Sequence, residues 1–243
     1  MDTKTVVITG ASSGIGFALA EAYLKRGYHV VGNGRTQDRL DEAAKKLGSP
    51  QNFVGVAGDI SKPDTAKELF SQAKARFGKV DILINNAGVF IAKPITAYTD
   101  EDVNQLIDTN LKGFFYPSRE AAAHMSENKS GHIVNITASV AIQPNINVPA
   151  SLAILIKGGI DHATKALSLE LSPFNIQVNS VAPGIIDTPM HSIENHPFLK
   201  ALHPSNKMGT TKDIVDAVMY LADAQFTTGI VLPVDGGSSS GKW

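Results

Sequence analysis

The chain contains no cysteine in 243 residues. Disulfides, thiolate nucleophiles and cysteine-bound zinc are therefore excluded. Net charge is also small, −1 from 22 basic and 23 acidic side chains. Without a broad basic surface, nucleic acid is not an expected partner. A membrane span is missing too. The stretch from Ser130 to Ile156 carries no Asp, Glu, Lys or Arg, but Asn135, Gln143, Pro144, Asn145, Asn147 and Pro149 interrupt it. Such a stretch suits the wall of a buried site better than a bilayer. A strand begins almost at the first residue and leaves no room for a signal peptide, so a cytoplasmic protein is expected. No metal is expected either. His191, His196 and His203 do not have the usual zinc spacing, and they read as surface or loop residues, or as including a substitute acid.

What is present suits an α/β protein with a substantial core. Apolar residues make up 43% and charged residues 19%, ordinary for a folded soluble chain. No internal repeat or long linker is evident, so one domain over residues 1–243 is expected. The organising stretch is Val6 to Gly27. Val6-Val7-Ile8 reads as a buried strand. Thr9-Gly10-Ala11-Ser12-Ser13-Gly14-Ile15-Gly16 follows, and then Ile15, Ala18, Leu19, Ala22 and Tyr23 recur at helical spacing up to Gly27. Strand, glycine loop and helix N-terminus together make a cradle for pyrophosphate.

Further strands are expected at His29–Val31, Phe53–Ala57, Lys79–Ile84, Gly131–Ile136, Asn175–Val181 and Gly229–Val234. Between them lie a charged helix ending near Leu47, a helix opened by Ser61, and a helix over Thr211–Ala222. Another is capped by Thr99, with Asp100, Glu101 and Asp102 in its first turn. Val103, Leu106, Ile107, Leu111 and Phe114 form its apolar face, and Asn110 shares it. Pro117 is expected to kink or end that helix.

These motifs resemble the short-chain dehydrogenase/reductase family over essentially the whole chain. The match rests on Thr-Gly-x-x-x-Gly-x-Gly at Thr9–Gly16, Asn85-Asn86-Ala87-Gly88, the Pro183-Gly184 segment and the Asp235-Gly236-Gly237 ending. The resemblance implies a doubly wound parallel sheet of Rossmann type, with helices on both faces. It also implies hydride transfer between a nicotinamide dinucleotide and a small-molecule carbonyl or alcohol, in a homotetramer or homodimer.

The family's cofactor contacts fall on Gly10, Ser12, Ser13, Gly14, Ile15, Gly16, Asp59, Ile60, Asn86, Ala87, Gly88, Lys157, Pro183, Gly184, Ile186 and Thr188. Past the second strand, where an acid would select NAD, stand Gly34 and Arg35. A guanidinium suits a 2′-phosphate, so NADP(H) is preferred and NAD(H) remains possible. The family's serine is matched to Ser139 by Ser-Val-Ala; counting from Asn135 lands on Ala138, and Thr137 is the reserve. Asn110 matches the asparagine that holds a water beside the catalytic lysine.

The family tyrosine is absent. Counting back from Glu170-Leu171 identifies its lysine as Lys157, and the residue four before it is Ala153. None of the five tyrosines, Tyr23, Tyr28, Tyr98, Tyr116 and Tyr220, lies on this helix. Two expectations follow. In the first, Lys157, a water and Asn110 protonate a substrate oxygen held by Ser139, with the water in the space left beside Ala153. In the second, the chain binds the nucleotide as a sensor or structural partner, without turnover.

Overall fold

The computed structural model describes residues 3–241. Seven parallel strands form one sheet in the order β3-β2-β1-β4-β5-β6-β7. They are β1 (Thr5–Ile8), β2 (His29–Gly34), β3 (Phe53–Ala57), β4 (Ile82–Asn85), β5 (Gly131–Ile136), β6 (Ile176–Pro183) and β7 (Val231–Val234). The helices are α1 (Gly14–Lys25), α2 (Gln37–Lys46), α3 (Pro63–Phe77), α4 (Asp100–Leu106), α5 (Gly113–Asn128), α6 (Ser151–Leu171), α7 (His196–Ala201) and α8 (Thr211–Asp223).

Strand periodicity divides the core between the two faces. Val6 and Ile8 pack with Leu19 and Tyr23 of α1 and with Val218 of α8. Val7 points the other way, among Leu69 and Phe70 of α3, Met125 of α5 and Leu171 of α6. This is the doubly wound sheet, covered on both faces. The strand order reverses between β1 and β4, and that switch point opens a crevice at the carboxyl edge of the sheet. No helix among the described residues is long and apolar enough to cross a membrane.

Several boundaries differ from the expectations. β2 runs on through Asn33 and Gly34, because both pair with β3 at Val56 and Ala57. Ser61 does not open a helix. Its N–H bonds Asp59 Oδ1 in a turn, and α3 starts at Pro63. β4 starts at Ile82 rather than Lys79, since Val80 N–H goes to His124 instead of to the sheet. The Thr99 cap is reciprocal with Asp102.

Beyond α4 the chain makes a π turn, Ile107–Lys112, before α5. The wider turn puts Leu111 in solvent, 43% exposed, and Asn110 inside, 1% exposed. Leu111 therefore leaves the apolar face proposed for it, because a π turn breaks the 3.6-residue period. Pro117 neither ends nor interrupts α5, which continues to Asn128.

Candidate functional site

The crevice is a cleft of about 750 Å³ running from the glycine loop to α6. Gly10 and Gly14 have φ of +68° and +55°, where L side chains are strained. α1 begins with no side-chain cap from Ser13 and no acid in its first turn. Its first N–H groups therefore remain free for an anion. Thr9 Oγ1 accepts the N–H groups of Asn86 and Ala87, each at 3.0 Å. Asn86 Nδ2 in turn donates to the carbonyls of Thr9 and Gly10. The two motifs, far apart in sequence, are thus tied into one wall.

Of the expected cofactor residues, Gly10, Ser12, Ser13, Gly14, Ile15, Arg35, Asp59, Ile60, Asn86, Ala87, Gly88, Lys157, Pro183, Gly184, Ile186 and Thr188 line the cleft. Gly16 does not. It packs against the loop, where a Cβ would lie 2.2 Å from the Gly10 carbonyl oxygen. Its role is to let helix and loop approach. Arg39, overlooked in the sequence, joins Arg35 on the cleft wall from the first turn of α2, although Arg35 itself precedes that helix. Asn33, at the end of β2, is buried and bonded to the Val56 and Gly58 carbonyls. No carboxylate stands there. Free N–H groups at one point and guanidinium groups at another fit a doubly anionic dinucleotide with an extra phosphate.

At the other end Lys157 is buried, and its Nζ donates to the Ile136 carbonyl at 2.8 Å. Burial lowers its pKa to about 8, opposed by the nearby charge of Asp161. Asn110 is held by Val89, accepting its N–H at 2.8 Å and donating to its carbonyl at 2.9 Å. A Cβ on Gly88 would lie 3.0 Å from Asn110 Oδ1 and 3.4 Å from Lys157 Nζ, so both groups border the same backbone. Between them is a small cavity of about 10 Å³, lined also by Asn85 and Asn135. That is about the size of one water with polar partners.

Ser139 lines the cleft at the start of a 3-10 turn, Ser139–Ala141. Its hydroxyl lies 3.3 Å from that of Ser238, in the C-terminal loop. Thr137 and Ala138 also line the cleft, with Thr137 Oγ1 turned to the Val181 carbonyl at 3.3 Å.

The space expected beside Ala153 is not there. Ala153 is 1% exposed and packed among Leu106, Phe114, Ile156 and Ile160. Val89, Ile91 and Val148 close over the same cluster. A water there would lack polar partners, and the polar water-sized space lies instead between Asn110 and Lys157. Ala153→Tyr is expected to overpack this cluster and lower stability by about 1–3 kcal/mol. A urea midpoint measures it, and an unchanged midpoint would show that the ring swings freely into the cleft.

The three histidines differ from one another. His203 is no surface residue: it is buried, and its Nε2 accepts the Ile185 N–H at 3.0 Å. His196 lies 3.8 Å from Asp187. His191 faces the cleft, and burial followed by the charge of His196 lowers its pKa. Among the described residues no three His, Cys, Asp or Glu side chains are grouped to hold a metal.

Residues 4–197 match the model of the short chain dehydrogenase family. The chain is 34% identical over 245 residues to (2S)-[(R)-hydroxy(phenyl)methyl]succinyl-CoA dehydrogenase subunit BbsD of Thauera aromatica, covering 98% of each chain. Among solved structures it resembles ElxO with NADP bound, at 31% identity and a TM-score of 0.92, covering 98% of this chain and 100% of that one. It also resembles 3-ketoacyl-(acyl-carrier-protein) reductase from Brucella melitensis complexed with NADH, at 29% identity and a TM-score of 0.91. That alignment covers 98% of this chain and 99% of that one.

Proposed function

The chain belongs to the short-chain dehydrogenase family, and from that premise we propose that it is an NADP(H)-dependent oxidoreductase acting on a carbonyl or alcohol with a proton donor other than tyrosine. The observation that carries the reading is the placement of Lys157, Asn110 and a water-sized cavity at the end of a cleft whose other end is built for phosphates. When bound, the nicotinamide gives or takes a hydride at C4. The chain does the rest.

The N–H groups of the glycine loop and α1 hold the diphosphate, and Arg35, with Arg39, holds the 2′-phosphate. Asp59 and Ile60 border the adenine, and Asn86, Ala87 and Gly88 form the groove. Pro183, Gly184, Ile186 and Thr188 flank the nicotinamide end. Lys157 binds the ribose, and its ammonium releases a proton through the water beside Asn110 to a substrate oxygen oriented by Ser139. An amine with a pKa near the working pH is suited to that task. The reading takes residues 1–243 as one cytoplasmic domain that assembles as a homotetramer or homodimer. Exposed apolar side chains support the assembly, among them Phe115 of α5 and Leu155 and Leu169 of α6.

A second reading is binding without turnover. The apolar packing of Ala153 and the pairing of Ser139 with Ser238 favour it. Fluorescence titration with NADPH and NADH, followed by NADPH absorbance across a carbonyl panel, separates the two. NADPH oxidation supports the enzyme, and tight binding without oxidation supports the alternative. Arg35→Asp is expected to weaken NADPH binding by about 10- to 100-fold, the worth of a charge-assisted fork, and to leave NADH binding nearly unchanged. Equal loss for both cofactors would remove Arg35 from the 2′ position.

A further inference from the structure

Among the described residues, Ser238 is the only cleft residue that follows the last strand. Backbone contacts place it there. Val234 of β7 pairs with Pro183 of β6, and its carbonyl accepts the Gly184 N–H at 3.0 Å. Asp235 then packs on Gly184, where a Cβ would lie 2.9 Å from the Asp235 Cα. The turn closes with the Ser238 N–H on the Asp235 carbonyl at 3.2 Å. The C-terminal loop is thus docked on the Pro183-Gly184 segment, with the Ser238 hydroxyl 3.3 Å from that of Ser139.

The hydrogens of these two hydroxyls are directed from Asp235, which is buried. Asp235 Oδ1 accepts the Gly237 N–H at 2.9 Å. Its Oδ2 accepts the Ser239 N–H at 2.8 Å and the Ser238 hydroxyl at 3.1 Å. Burial pushes this carboxyl up, but the bonds from Ser239, Gly237 and Ser238 outweigh it and hold the pKa below the ordinary value. An ionised carboxylate only accepts, and a hydroxyl has a single hydrogen. The Ser238 hydrogen is committed to Asp235, so toward the cleft Ser238 can only accept. Ser139 is therefore the donor across their contact. The cleft carries, side by side, a hydroxyl with a hydrogen to give and an oxygen that needs one.

When Ser139 turns its hydrogen to a substrate carbonyl, Ser238 loses its donor. Substrate filling the cleft excludes the water that would replace it, and an acceptor left unsatisfied costs free energy. A hydroxyl on the carbon next to the carbonyl supplies the missing hydrogen. Oxygens on adjacent carbons are spaced much like the two serine oxygens, so the two bonds can run in parallel. The walls nearby are apolar: Phe90, Val140, Met190 and Phe198 line the cleft, with Met190 and Phe198 61% and 56% exposed. The one carboxylate among the cleft residues, Asp59, follows β3, and the two arginines follow β2. No carboxylate or guanidinium stands by the serines to hold a charged group.

We propose that Ser238, fixed by Asp235, is a specificity-determining residue, and that the substrate is an uncharged hydroxy ketone with its hydroxyl and carbonyl on adjacent carbons and an apolar remainder. Turnover of that substrate rests on the oxidoreductase reading above, but its recognition does not. The carbonyl accepts from Ser139, and the substrate hydroxyl donates to Ser238. Reduction places a hydride from NADPH on the carbonyl carbon and a proton on its oxygen. The products are a vicinal diol and NADP+, and the neighbouring hydroxyl keeps its own proton.

The test uses matched ketones in which a methyl group replaces the hydroxyl. They are hydroxyacetone against butanone, and phenacyl alcohol against propiophenone. Calorimetry with NADP+ present, where the carbonyl cannot be reduced, reads affinity, and NADPH absorbance reads kcat/KM. Each hydroxy ketone is expected to exceed its partner by about 10-fold or more in both measurements. Ser238→Ala is expected to bring both ratios close to one, and Ser238→Thr, which keeps a hydroxyl, to retain the preference. A merely structural loss would weaken both members of a pair and leave their ratio intact. A parent protein that binds the two members equally, or binds neither, would overturn the substrate class. A preference that survives in folded Ser238→Ala would overturn the role of Ser238. Preferential binding in a protein that oxidises no NADPH would leave the recognition standing and remove the enzyme reading instead.

Discussion

Lys157→Met is expected to reduce carbonyl turnover by on the order of 10²–10⁴, the usual worth of a general acid. Methionine matches the length of the side chain and its fit among Ile136, Ile160 and Phe114 around the small cavity, so packing changes little. What disappears is the one cationic group among the described residues that borders both the cleft and the cavity beside Asn110. NADPH binding should weaken less than turnover, because the diphosphate and 2′-phosphate contacts lie at the far end. If kcat were retained, the proton would have to come from elsewhere in the cleft, with His191 the first candidate.

The same variant removes a pH dependence of stability. Lys157 titrates near 8 in the folded protein, against an ordinary 10.5 once unfolded. Between those values the unfolded chain holds a proton that the folded chain has given up. Stability contributed by this site therefore rises as pH increases from about 8 to 10.5. Lys157→Met should lack that slope. Urea midpoints of both proteins across the interval measure the difference, and parallel curves would show that burial does not lower the Lys157 pKa.

Much of this architecture could be read from residue order, for a physical reason. Buried parallel strands are written as short β-branched runs, and amphipathic helices repeat with a 3.6-residue period. The glycine loop was legible because its residues are consecutive. The failures share a different cause. Leu111 was placed on an apolar face because a π turn leaves no local mark in the pattern. The cover over Ala153 comes from Val89, Ile91 and Val148, none of them its neighbours in sequence. Ser139 meets Ser238 across nearly the whole second half of the chain. Local periodicity reports local structure, while the chemistry of the site arises from long-range contacts.

Gly16→Val tests the phosphate end of the cleft and should be the more destructive change to binding. A Cβ at Gly16 would lie 2.2 Å from the Gly10 carbonyl oxygen and 2.5 Å from Asn86 Nδ2. Neither atom has an easy retreat. The first is main chain in a loop already at positive φ, and the second is held to the carbonyls of Thr9 and Gly10 at 2.9 and 3.2 Å. The loop must therefore lift from α1 or separate from Asn86, and either movement takes the N–H cradle apart. The strain is expected to cost about 1–3 kcal/mol of stability or more. A similar penalty falling on binding would weaken NADPH affinity about 10- to 100-fold. Gly27→Ala is the control. Gly27 also has a positive φ, +79°, but nothing lies within 4 Å of its added Cβ. It should lower stability through backbone strain alone and leave NADPH affinity unchanged. If both variants bound NADPH like the parent, the loop before α1 would not be holding the diphosphate.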